Sequence, residues 1–159
     1  MKKALILFSL VFLTTVGFVG SANAQGTVEP KVQRDPLLEV DSKKNLEAAR
    51  LYFKLRKAYK AVLLRCEETI AANPQFSQID EVLYLAGMSS YYLAEGKGKQ
   101  QINQANEEEK KKYAPERLRE EAVAYLSQLR ELYPNSKFKS EAEKTLTLLG
   151  ENVQTNKKQ

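Results

Sequence analysis

One thiol and no imidazole set the limits of what this chain can do chemically. Cys66 is the single cysteine among 159 residues, and the sequence contains no His. Without His, a Cys nucleophile lacks its usual base, and the commonest metal ligand and proton switch are missing with it. A lone Cys can close no disulfide within the chain and cannot build the Cys clusters of zinc or iron–sulfur sites. Its place on an apolar stripe with Val62 and Ile70 points to a buried core thiol, with an intermolecular disulfide as the alternative. The acidic pairs Glu67-Glu68 and Glu120-Glu121 are neighbours in sequence. On a helix they diverge, so they do not form the facing carboxylates of acid–base hydrolysis. Gly96-Lys97-Gly98-Lys99 lacks the spacing and the preceding strand of a phosphate-binding loop. These residues predict no catalytic, cofactor or metal site. A cell-wall hydrolase is left only as a remote alternative. The remaining chemistry is aromatic: Tyr84, Tyr91 and Tyr92, with Tyr52 and Tyr59, make either a peptide-binding wall or helix-packing residues whose hydroxyls reach the surface.

The elements that carry these residues read as helices. Residues 25–41 hold two prolines and no apolar period, which predicts an extended or disordered lead-in. From Lys43 to Ala72 there is no Gly or Pro. Leu51, Leu55, Ala58, Val62, Cys66 and Ile70 recur there at helical steps. This predicts a long first helix, with a hairpin split at Lys57 as the alternative. Asn73-Pro74 ends it, and Ser77-Gln78-Ile79-Asp80 has the form of a capping box. The next helix, to about Ala94, is apolar nearly all round and so is expected to be the central one. Gly87, Ser89 and Ser90 would let a neighbouring backbone come close. A polar insertion over 97–114 carries Glu107–Glu109 followed by Lys110–Lys112, opposite charges at spacings that favour a helical turn or two. Pro115 suits the start of a third helix, with Leu118, Ala122, Tyr125, Leu126, Leu129 and Leu132 as its buried face. Asn135-Ser136 leads into a fourth, with Phe138, Ala142, Leu146 and Leu149 inward and Gly150 at its end. Residues 151–159 are expected to be a disordered tail. With no sustained alternation of apolar and polar residues, the fold class is all-α, with about four helices in a domain spanning 42–150.

The first 24 residues are expected to leave. Met1-Lys2-Lys3 is a basic start, Ala4–Leu13 an apolar core, and Ala22-Asn23-Ala24 a small-x-small site before Gln25. This is the order of a secretory signal peptide cut between Ala24 and Gln25, which predicts a periplasmic protein with no stable membrane anchor. Removing Lys2 and Lys3 with it lowers the net charge from +5 to +3. The remaining charges alternate in sign along the chain, the pattern of a solvated helical surface and not of a nucleic-acid binder.

An internal echo gives the helices a family likeness. Counted back from Pro134, Ala122, Leu126 and Leu129 stand at the offsets of the second helix of a tetratricopeptide repeat. Leu85, Met88, Ser89, Tyr92 and Gly96 match the order of its first helix. Tyr59, Val62, Cys66 and Pro74 fit the second-helix offsets more loosely. Together with Leu132-Tyr133-Pro134-Asn135-Ser136, these strings resemble the periplasmic tetratricopeptide proteins of the bacterial outer membrane. Those are the BamD-like assembly lipoproteins and the Tol-Pal-associated division coordinator. The BamD-like proteins are anchored through a lipidated Cys, and none stands at this cleavage site. What the resemblance implies is a scaffold: a non-enzymatic adaptor that binds a protein or peptide in envelope assembly or maintenance. A self-associating structural protein, in which a second copy supplies missing repeat surface, is the alternative.

Overall fold

The computed structural model describes the backbone of residues 34–156 and the side chains of 34–150. The expected leader, its cleavage site at Ala24 and Gln25, and most of the lead-in lie outside the described residues. The described chain is all-helical: α1 (Pro36–Leu51), α2 (Tyr59–Ala72), α3 (Ile79–Ala94), α4 (Glu107–Lys112), α5 (Pro115–Leu132) and α6 (Lys139–Asn156). α1 pairs with α2 and α3 with α5, while α6 packs on α5 as the first half of a further pair. This is a tetratricopeptide-like stack of two and a half hairpins. α3 lies between α2 and α5, and every residue from Ile79 to Ala94 except Asp80, Tyr91 and Tyr92 is buried.

Several expectations are corrected. The lead-in does not extend to residue 41, because α1 begins at Pro36. Asp35 accepts a hydrogen bond from the Leu37 N–H at 2.8 Å, and Pro36 has no N–H to leave unsatisfied in the first turn. The first helix is not long: Tyr52–Arg56 forms a π-helical turn, and Lys57 follows with φ +48° in the left-handed region. A left-handed lysine costs about 1–2 kcal/mol. Opposing that cost is the hairpin's packing of Leu46 and Ala49 on Val62, Leu63 and Cys66, all nearly solvent-free. The break also shifts the helical phase, so α1 turns Ser42, Leu46 and Ala49 inward while Leu51 and Leu55 stay exposed. Leu132 is likewise exposed, at 60%.

The capping box does not form. Ser77 uses both its N–H and its hydroxyl to donate to Glu39 of α1, and Asp80 instead accepts from the Ser136 hydroxyl at 2.7 Å. Gly150 does not end α6, whose backbone continues to Asn156. A lone helical Gly costs only about 1 kcal/mol against Ala, and no Pro follows to stop the helix.

The polar insertion is ordered against the hairpin. Lys99 donates its N–H to the Lys57 carbonyl at 3.0 Å, which joins the insertion's first residues to the α1–α2 turn. Gly98 sits between them with φ +112°, and a Cβ there would lie 2.8 Å from the Tyr59 ring. Only Gly meets both conditions.

Candidate protein-binding face

α1, α3 and α6 present one continuous face, and its polar centre is an ion pair. The Arg50 guanidinium, on α1, donates to both oxygens of Glu81 on α3, Nε to Oε1 at 2.6 Å and Nη2 to Oε2 at 2.7 Å. It also reaches Gln78 at 3.0 Å, and Lys137 stands 4.0 Å from Glu81. Glu81 is buried in the first turn of α3, where an ionised carboxylate needs such a partner. The Arg50 hydrogen bonds hold its carboxyl below the ordinary glutamate range against the opposing effect of burial. Both groups are therefore engaged with each other, which leaves neither as a free acid or base.

One turn further along α3 the face becomes aromatic. Tyr84 stacks on Phe138 with ring centroids 4.5 Å apart and planes at 16°. Phe53, just past α1, packs edge-on against Tyr59 at 5.5 Å and lies 5.9 Å from Tyr92. Burial pushes the Tyr84, Tyr92 and Tyr59 hydroxyls up from the ordinary phenol range, and Glu141 beside Tyr84 adds to the shift there. These phenols stay neutral at physiological pH.

The three tyrosines singled out in the sequence are separated by this geometry. Tyr84 is 8% exposed and serves as packing between α3 and the start of α6. Tyr91 and Tyr92 are half-buried and adjacent, and the Lys97 ammonium lies over both rings at 5.6 and 5.5 Å. They form the accessible rim of the face. Arg50, Glu81, Phe53 and Phe138 were not legible as site residues. The available hint was Glu81 itself, a carboxylate directly before the apolar run Val82–Met88.

The opposite side, along α2, is covered. The ammonium of Lys60 pairs with Glu109 of α4, and Lys112 pairs with Glu67 at 2.9 Å. Both ammonium groups also lie over the Tyr113 ring, at 5.5 and 5.7 Å. Gln100 accepts the Ala61 N–H at 3.1 Å, and Lys60 reaches the Gln101 carbonyl at 3.1 Å. Residues 97–114 thus lie over the first part of α2. Cys66, further along α2, is 1% exposed, and burial pushes its thiol far up from the ordinary range. Among the described residues no group of His, Cys, Asp and Glu gathers to hold a metal ion, and no helix is long and apolar enough to cross a membrane.

A stack of antiparallel helical hairpins with one face open and the other partly covered by its own insertion is a tetratricopeptide-like repeat scaffold. The chain belongs to the YfiO family, described as outer membrane lipoprotein, whose family model matches residues 22–155. Membership implies a place in the cell envelope. No curated protein and no solved structure matches the chain.

Proposed function

We propose that the protein is a non-enzymatic periplasmic adaptor that binds a protein or peptide partner in the assembly or maintenance of the outer membrane. The observation that carries this reading is the asymmetry of the two sides. Insertion 97–114 lies over α2, whereas the α1–α3–α6 face keeps Tyr91 and Tyr92 half-accessible beside the exposed charges of Lys54, Lys97, Lys137 and Glu141. Adjacent tyrosines with a cationic rim offer contact area, a hydroxyl and charge at low entropic cost, which suits a peptide segment. Export with cleavage between Ala24 and Gln25 is part of the proposal. Envelope residence in this scheme does not use a lipid on Cys66, because a core thiol has no room for an acyl chain.

Photo-crosslinking in cells tests it. A benzophenone side chain at Tyr91 is expected to trap a defined envelope protein, and the same group at Lys111, on the insertion, is expected to trap little. Capture of the same protein from Lys111 and not from Tyr91 would move the binding site to the insertion and overturn the assignment.

A further inference from the structure

α1 carries two apolar faces, and the fold uses one of them. Opposite the buried Ser42, Leu46 and Ala49, the side chains of Leu37, Val40 and Leu51 are exposed at 76, 50 and 44%. Between them stand Lys44 and Glu47, also exposed. The steps through Leu37, Val40, Lys44, Glu47 and Leu51 are three, four, three and four residues, the a/d spacing of a coiled-coil seam. Within the stack, α3 is flanked by α2 on one side and α5 on the other, but α1 has only α2 of the equivalent pair.

The charges in this seam say what covers it. When two such helices meet antiparallel, an a position of one faces a d position of the other. A two-fold axis between positions 44 and 47 then sets Lys44 of each copy against Glu47 of the other, and Val40 of each against Leu51 of the other. Leu37 falls against the turn that carries Leu55, itself 72% exposed. The parallel arrangement would instead place Lys44 on Lys44 and Glu47 on Glu47, which repel. Within the chain these charges are weakly committed. Lys44 has one surface pair with Asp41 at 3.2 Å, and Glu47 makes no ion pair among the described residues. The pattern is complementary to itself in one orientation, as an isologous interface requires.

We propose that the outer face of α1 binds a second copy of this chain in an antiparallel, two-fold dimer. The proposal concerns a different surface from the α1–α3–α6 face and does not depend on what that face binds. A helix of 16 residues is about 24 Å long. A contact of that size lies at the small end of specific interfaces, so the dimer should form and dissociate with concentration.

Sedimentation equilibrium of the chain, purified in the form the exporting cell releases, provides the test. The expected result is a monomer–dimer equilibrium that Lys44→Glu and Glu47→Lys each weaken about tenfold, by turning two attractive pairs into repulsive ones. The double exchange, Lys44→Glu with Glu47→Lys, should restore the original equilibrium, while Leu51→Asp should abolish it. All three positions are exposed, and far-UV circular dichroism should confirm unchanged helix content. A chain that stays monomeric up to its solubility limit would overturn the proposal. So would a dimer indifferent to the single exchanges, or a double exchange as weak as either one.

Discussion

Gly87→Ala is the sharpest test of how α3 and α5 pack, because two known effects of this substitution oppose each other. In an exposed helix the change stabilises by about 1 kcal/mol through backbone propensity. At position 87 a Cβ would lie 2.6 Å from Leu126 Cγ and 2.7 Å from its Cδ2. Leu126 is fully buried, so its branch carbon has nowhere to retreat. Forcing a methyl into such a site costs about 1–3 kcal/mol, and distances this short belong near the upper end. The overpacking term wins, and the net expectation is a loss of about 2 kcal/mol. In a domain of this size that lowers the thermal midpoint by roughly 5–10 °C. Leu126→Ala removes the obstacle and should by itself cost about 2–5 kcal/mol. In that background Gly87→Ala should become stabilising by about 1 kcal/mol, so the two sites couple by roughly 3 kcal/mol. Thermal and urea unfolding followed by circular dichroism would measure all four corners of the cycle. Gly150→Ala is the control: nothing lies within 4 Å of a Cβ there, and the substitution should stabilise. If Gly87→Ala stabilised the wild-type chain, or acted alike in both backgrounds, the close approach of α5 to α3 would be refuted.

Two further outcomes follow from the ionisable groups. Because Arg50 depresses the Glu81 carboxyl, the pair contributes stability that is complete above the unfolded-state value and is lost as pH falls through the folded-state one. Arg50→Ala should therefore cost about 1.5–3 kcal/mol near neutrality and flatten the stability loss below about pH 4, measured by urea unfolding across pH. Cys66, 1% exposed with its thiol pushed up by burial, should resist iodoacetamide in the native state and react once urea unfolds the chain. Rapid native alkylation, or a disulfide-linked dimer on non-reducing gels, would show that α2 opens at that point.

What the sequence showed and what it hid follow from how local each cause is. α3 and α5 were legible because a long apolar stripe, a Pro start and a Pro stop act on neighbouring residues. The split at Lys57 was not, since a left-handed lysine carries no compositional mark and its strain is opposed by contacts on Leu46 and Ala49 far along the chain. Pro30 and Pro36 together read as extended chain, although Pro after Asp35 opens a helix. Ser77 has capping chemistry, but Glu39 competes for its donors from another helix, and helical period gives no hint of that. Tyr84, Tyr91 and Tyr92 stood out by type. Which of them is packing and which is rim depended on Phe138 and Lys97, brought in by the stack. The polar insertion read as a solvated turn because its partners, Lys60 and Glu67, lie on α2.

The two ends of the hairpin stack differ in a way that bears on stoichiometry. α6 closes one end, and its exposed described side chains, Ser140, Glu141, Glu143, Lys144 and Thr147, are polar apart from Leu148. At the other end α1 exposes Leu37, Val40 and Leu51, the surface proposed to be adhesive. Repeat proteins with two adhesive ends can add subunits without limit, which is hazardous where they are concentrated. A stack with one wetted end and one adhesive end has a valency of one through its ends, so whatever docks on α1 also terminates growth there. The proposed dimer would therefore stop at a pair and leave the α1–α3–α6 face available.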